Sequence, residues 1–178
     1  DASRNAPEIA RAAEAAGVRM ITVHGRTRCQ FYKGSADWTA IREVVRAVEV
    51  PVLANGDIVD AASARAALAA SGASGVMVGR GAQGAPWRLA EIAAAIWGRP
   101  APQVPRGAAL ADLVTAHFDA SLSFYGRDLG ARVIRKHLGW YLDAAGVGPT
   151  LRREVLTAQP EAVPRLLDTA FASYAEAA

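Results

Sequence analysis

The chain has a single cysteine, Cys29. No disulfide can form within it, which fits a reducing compartment and leads us to expect a cytoplasmic protein. No apolar run reaches the ~18 residues that a membrane-spanning helix requires, and no signal-peptide pattern opens the chain. A membrane is therefore not an expected partner. Nor is there a strong excess of either charge sign. The net charge is +3, with 13 basic and 9 acidic side chains in residues 1–106 and 7 and 8 in residues 107–178. That balance permits a polyanionic partner without requiring one. What is abundant is alanine within a 52% hydrophobic, 21% charged composition, as in globular proteins built on closely packed helices.

The most informative run is VMVGRGAQGAPW, Val76 to Trp87. It reads as a short strand, a glycine-rich turn and a helix. VPVLANGDI, Val50 to Ile58, has the same form with an Asn-Gly-Asp turn. Two consecutive units of this kind build phosphate sites from backbone N–H groups and a helix N-terminus in the last repeats of a (β/α)8 barrel.

The rest of the first hundred residues agrees with alternating helix and strand. Glu8–Gly17 is an alanine-rich helix ending on glycine. Met20–His24 is β-branched and reads as a strand. Asp37–Val48 is helical, with Trp38, Ile41, Val44, Val45 and Val48 at helical spacing and Asp37 as its cap. Pro51–Ala54 is a strand, Asp60–Ser71 a helix closed by Gly72, Gly75–Val78 a strand, and Pro86–Trp97 a helix. The strands lack a polar face, which implies burial on both sides and a parallel sheet. Glycines follow all three strands at the same end, where barrel sites are assembled, so the fold expected is α/β, the C-terminal part of a TIM (β/α)8 barrel. A doubly wound open sheet is the alternative. The first residue is Asp1, and 178 residues are fewer than the roughly 200–250 of a complete barrel. The expectation is a fragment that has lost its N-terminal part, prone by itself to self-association through unpaired sheet edges.

Residues 98–107 hold three prolines and two glycines and read as a linker. Helices follow at Ala109–Tyr125, Asp128–Ala145, Leu151–Ala158 and Pro160–Ala175, a small all-α helical bundle. The domains expected are thus 1–98, a linker at 99–107, and 108–178. No metal-ligand spacing occurs, and no metal is expected.

Several side chains are placed for chemistry. His24 ends a strand, where a neutral imidazole can donate to a cofactor ring or an anion; backbone satisfaction is the plainer alternative. Arg26 and Arg28 follow in a loop, where solvated arginines are common. Asn55-Gly56-Asp57 allows close backbone approach to a phosphate. Gly79-Arg80-Gly81 adds a fixed cation suited to a phosphate dianion. Cys29 has no identifiable partner base and is expected to be a small packed residue. Between Arg127 and Lys136, four cations (Arg127, Arg132, Arg135, Lys136) face one acid, Asp128. The plain reading is a solvated helix face, the sharper one a nucleic-acid backbone contact.

With VHGRTR (Val23 to Arg28), Tyr32-Lys33-Gly34, PVLANGDI, VGRGAQGAPW and RKHLGWY (Arg135 to Tyr141) in this order, the chain resembles the bacterial tRNA-dihydrouridine synthases. The resemblance runs over nearly the whole chain. It implies an FMN-containing barrel, a helical tRNA-binding domain, NADPH as reductant, and reduction of uridine to 5,6-dihydrouridine in tRNA by a monomeric full-length enzyme. It implies that Asn55, Gly56 and Asp57 form one FMN-phosphate loop, and Gly79 and Arg80 the other. His24 would lie near the flavin, Arg26 and Arg28 near where substrate enters, and Arg132, Arg135 and Lys136 toward tRNA. The family's catalytic cysteine and a flavin-contacting lysine belong to the N-terminal half, so Cys29 is not the catalytic residue and little turnover is expected from this chain. Alternatives are another FMN-dependent barrel oxidoreductase acting on a small molecule, or a non-catalytic RNA-binding module.

Overall fold

Side-chain caps set two of the helix starts in this chain, and left-handed glycines two of the helix ends. The computed structural model describes residues 4–172 and 174. Helix α1 (Ala6–Ala15) carries Pro7 in its first turn, where a missing N–H costs nothing. Strand β1 is Ile21–His24. Asp37 caps α2 (Trp38–Val45) by accepting the Ala40 N–H at 3.0 Å. Strand β2 is Val52–Asn55. Asp60 and Ser63 form a reciprocal capping box at the start of α3 (Ala61–Ser71). Gly72, at φ 71°, ends that helix in the left-handed region open to a residue without Cβ. Strand β3 is Gly75–Met77, and α4 is Arg88–Trp97.

The sheet order is β1-β2-β3, all parallel. Ile21 pairs with Val52, and Val23 with Ala54 and Val76, in rows on one face. That face meets Ile41 and Val44 of α2, Ala64 and Ala67 of α3, and Ile92 of α4 in a common core. Burying each of the valine and isoleucine side chains contributes about 1.5–3 kcal/mol, and each alanine methyl less. Arg42 reaches from α2 to the last carbonyls of α3, donating to Ala70 at 3.0 Å and Ala69 at 3.1 Å. A cation there also suits the negative end of the helix dipole.

The opposite face corrects the expectation that the strands are buried on both sides. Its rows are Thr22, Leu53, Gly75 and then His24, Asn55, Met77. Thr22 and His24 are exposed, and Met77 is 42% exposed. ITVH alternates in polarity, but VLAN carries the apolar Leu53 on this face, and over four residues the polar positions are easily taken for strand ends.

A second correction concerns α4. The third strand does not run through its glycines directly into a helix. A single 3-10 turn, Arg80–Ala82, comes first, and α4 begins at Arg88 rather than Pro86.

Contacts divide the chain into two compact units: one of the residues up to Ala82 with Trp87–Pro102, the other of Gln83–Pro86 with the residues from Gln103 on. The second unit holds α5 (Gly107–Tyr125), α6 (Arg127–Ala144), α7 (Pro149–Thr157), a 3-10 turn at Pro160–Ala162, and α8 (Val163–Ala172). The last helix thus begins with a tighter turn than expected; its expected end at Ala175 lies outside the described residues. Leu110, Val114, Phe118, Ile134, Leu138, Leu142, Leu167 and Phe171 form its buried interior. Helices α5 and α6 meet so closely at Gly130 that a Cβ there would lie 2.5 Å from the Ser121 carbonyl oxygen.

Near the same helix pair, the His117 Nδ1 lies 3.3 Å from the Tyr141 hydroxyl, and the His137 ring stands 5.1 Å away. Burial, and then the neighbouring His137, hold the His117 pKa below its ordinary value. An imidazole depressed in this way binds its proton less readily folded than unfolded. Its contribution is full above the unfolded value of about 6.5 and falls as pH drops through it. Thermal melts followed by circular dichroism should therefore show a midpoint that declines from pH 7.5 to 5.5, and a shallower decline for His117→Gln.

Candidate functional site

The three loops that follow β1, β2 and β3 are knitted together by side chains. Gly25 donates to the Asn55 carbonyl at 2.9 Å and accepts from the Asp37 N–H at 2.6 Å. A Cβ on Gly25 would lie 2.9 Å from the Asp37 carbonyl oxygen, so only glycine fits this crossing. Beyond it the Arg26 side chain turns inward and is 2% exposed. Its Nε donates to the Lys33 carbonyl at 3.2 Å. Its Nη2 donates to the Gly34 carbonyl at 2.7 Å and to Asp57 Oδ2 at 2.5 Å. The remaining Nη1 is buried with no hydrogen-bond partner among the described residues.

Asp57 is the other half of this clamp. It has φ 54°, and Gly56 before it has φ 113°. Gly56 is also hemmed in by its neighbours, because a Cβ would lie 2.7 Å from the Ala36 Cβ and 2.9 Å from the His24 ring. Asp57 Oδ2 also accepts the Ala36 N–H at 2.8 Å, while Oδ1 stands 3.9 Å from Arg80 Nη2. The Arg26 hydrogen bond, the Ala36 N–H and the charge of Arg80 hold the Asp57 carboxyl below the usual carboxylate range, against the opposing effect of desolvation.

Two further bonds lock the loops. Trp38 Nε1 donates to the Gly56 carbonyl at 2.8 Å. Asn55 Nδ2 donates to the Met77 carbonyl at 2.8 Å. Arg80 itself is 56% exposed, with its guanidinium 4.5 Å from the centroid of the Tyr32 ring. Beside it, a Cβ on Gly79 would meet nothing within 4 Å.

The structure thus brings His24, Arg26, Asn55, Gly56, Asp57, Gly79 and Arg80 to one end of the sheet, with corrections to how they act. Arg26 is not a surface residue offered to a macromolecule, because its side chain is buried and its Nε and Nη2 donors are spent on two carbonyls and a carboxylate. Neither glycine loop presents a free helix N-terminus: the first turn of α3 is already capped by the Asp60 carboxylate, and α4 lies beyond the 3-10 turn. An anion here would depend on Arg80 and open loop backbone. His24 is exposed, and its imidazole makes no hydrogen bond with a described residue. Cys29, expected to be packed, is exposed.

A cavity of about 610 Å³ lies on the other side of β1 and is lined by His24, Arg26, Arg28, Cys29, Ile41 and Val44, among others. It includes none of Asn55, Gly56, Asp57, Gly79 or Arg80. We place the candidate anion site at the loops nonetheless, since the cation, the open glycine and the clamp converge there. Among the described residues no group of three or more His, Cys, Asp or Glu is placed to hold a metal ion, and no helix is long and apolar enough to cross a membrane.

In the second unit, Arg132, Arg135 and Lys136 are exposed at i, i+3, i+4 spacing on α6. Lys136 Nζ stands 5.3 Å from the centroid of the Trp140 ring. Arg127, counted with them in the sequence, pairs instead with Glu161.

A family model described as Dihydrouridine synthase (Dus) matches residues 1–174. The chain belongs to the dihydrouridine synthase family. It is 62% identical over 168 residues to a Rhodobacter capsulatus protein named probable tRNA-dihydrouridine synthase, covering 94% of this chain and 51% of that protein. Proteins of the same name from Rickettsia conorii and Mycobacterium leprae are 51% identical over 141 residues and 45% identical over 143 residues. These matches cover 79% and 80% of this chain, and 43% and 37% of the respective relatives. The chain therefore spans about half the length, or less, of the curated relatives it matches. Within this family member, sequence reasoning missed Tyr32, Ala36 and Trp38 as parts of the loop assembly. Trp38 was counted as a core residue of α2, and its indole N–H was the one signal of a second role.

A depressed carboxyl stabilises the folded chain fully above its unfolded pKa of about 4 and progressively less as pH falls through that value. Thermal melts of wild type should lose stability steeply between pH 5 and 3, and those of Asp57→Asn less steeply. Equal slopes would show that the clamp is not titrating.

Proposed function

We propose that this chain is the phosphate-gripping and RNA-facing part of an FMN-dependent, NADPH-linked tRNA-dihydrouridine synthase. The observation that carries the reading is Arg80: an exposed guanidinium, fixed between Tyr32 and Asp57, beside a glycine whose Cα faces open space. Residues of this kind fit a phosphate monoester, since the guanidinium supplies planar donors and Gly79 leaves room for close approach. Asn55, Gly56 and Asp57 on the β2 loop, with Gly79 and Arg80 on the β3 loop, would hold the FMN phosphate. His24, on the same sheet row as Asn55, would face the ligand with its free imidazole.

When bound and reduced by NADPH, FMN would supply a hydride to uracil, whose C5–C6 reduction also takes up one proton. The chain's own residues bind and orient. Asn55 ties its loop to β3 through the Met77 carbonyl. Arg26 acts as a positioning residue, and Arg28, exposed in the β1 loop, stands at the approach for substrate. Residues 1–98 form the C-terminal repeats of a TIM barrel in this reading, 99–107 a linker, and 108–178 a helical bundle that binds tRNA. Arg132, Arg135 and Lys136 supply its phosphate contacts; their shared face favours RNA over a small-molecule substrate. The general acid for C5 lies outside this chain, and Cys29 is not assigned to it. Such an enzyme works in the cytoplasm, on a target base drawn out of its stack.

Flavin fluorescence titration of the full-length protein should show FMN binding weakened at least tenfold by Arg80→Ala, about the effect of one charge-assisted hydrogen bond. Unchanged affinity would remove the phosphate assignment. Filter binding of tRNA at increasing salt tests the second unit. Replacing Arg132, Arg135 and Lys136 with alanine should lower the slope of log K against log salt by about 2. A slope equal to wild type would remove α6 from the RNA surface.

A further inference from the structure

We infer that Tyr32 is a positioning residue for the phosphate site: its ring holds the Arg80 guanidinium in place and leaves the N–H edge of that group free for an anion. This rests on the reading of Gly79 and Arg80 as a phosphate grip. An arginine 56% exposed has many rotamers open to it, and a ligand that must order it binds more weakly. Here two groups restrict it. The Tyr32 ring lies 4.5 Å from the guanidinium carbon, and the Asp57 carboxylate stands at 3.9 Å. Stacking uses the face of the guanidinium, whereas its five donors lie in the plane. A stacked arginine therefore keeps its hydrogen-bonding capacity, which an arginine fully bound to carboxylates does not.

Tyr32 is itself held from behind. The buried Arg26 side chain grips the carbonyls of Lys33 and Gly34, the two residues that follow it. The Phe31 ring meets it edge-on at 5.2 Å. Phe31 adopts φ 54°, a left-handed conformation that costs a bulky residue and marks a loop held in one shape. Tyr32 is 61% exposed, so it is not there to fill a core. Its hydroxyl makes no hydrogen bond with a described residue, so the ring is what matters. Arg26 thus serves both sides of Arg80, through Asp57 and through the loop that carries Tyr32.

The test compares FMN with riboflavin, which has the same ring but no phosphate. In the full-length protein, Tyr32→Leu should weaken FMN binding about five- to tenfold, leave riboflavin within about twofold, and leave the melting temperature unchanged. Tyr32→Phe should bind FMN like wild type. The Tyr32→Leu, Arg80→Ala double variant should bind FMN no more weakly than Arg80→Ala alone. If Arg80→Ala weakens FMN but Tyr32→Leu does not, the role of Tyr32 is wrong and the phosphate grip stands. If Arg80→Ala leaves FMN binding unchanged, both fall. Equal losses for FMN and riboflavin in Tyr32→Leu would mean damage to the loop and would overturn the positioning role.

Discussion

A guanidinium with almost no access to solvent organises the sheet end of this chain. Arg26 is costly to bury, and the structure offsets much of that cost at Nε and Nη2, with two backbone carbonyls and the carboxylate of Asp57. These partners come from parts of the chain that are distant in sequence. The carbonyls belong to the loop after β1 and the carboxylate to the turn after β2. Satisfying one side chain therefore fixes both loops. Lysine could not do the same, since a single ammonium lacks the forked geometry needed to reach a carboxylate and two carbonyls together.

Backbone conformations that look expensive in isolation follow from this clamp. Asp57 sits at φ 54°, which an L-residue adopts at some cost. Aspartate tolerates it better than most, and here the carboxylate is rewarded by Arg26 and the Ala36 N–H. Gly56 must be glycine on two independent grounds: its φ of 113° and the clash that a Cβ there would make with Ala36 and the His24 ring. The Trp38 indole then closes the turn from the α2 side. His24 is placed by the same packing, because the space a Cβ on residue 56 would take is the space its ring occupies.

Local signals in the sequence were strong wherever one residue decides a local structure. Asp37 before an apolar period and Gly72 after an alanine run marked helix ends that the structure has. The parallel sheet expected from strands buried on both sides is parallel in the structure, although one of its faces is open. What could not be read were features that depend on side-chain direction. Arg26 in a loop looks the same in sequence whether it points to solvent or inward, and only the position of Asp57, 31 residues away, decides between them. The open face of the sheet was hidden because strands of three or four residues show too few alternations. At Arg80–Ala82 the glycines suggested a direct passage into a helix; the actual turn is a 3-10 segment, whose first residue carries the exposed cation. The basic stretch on α6 had one member too many, since Glu161, from a distant part of the chain, takes up Arg127.

The presence of an acid in a loop assigned to an anion is the feature that most needs an electrostatic account. Two guanidiniums converge on this turn, and without an anion between them they would repel at a few ångströms with little solvent to screen the buried one. Asp57 removes that repulsion by pairing tightly with Arg26 and only loosely with Arg80, at 2.5 Å and 3.9 Å. The local balance is two positive charges against one negative. A net positive charge remains, and it is on the exposed partner. The asymmetry of the two distances is what separates structure from recognition: the near arginine is consumed in holding the loops, while the far one retains charge and donors for an incoming phosphate. If Asp57 gripped both equally, the turn would be just as ordered and would have nothing left to bind with.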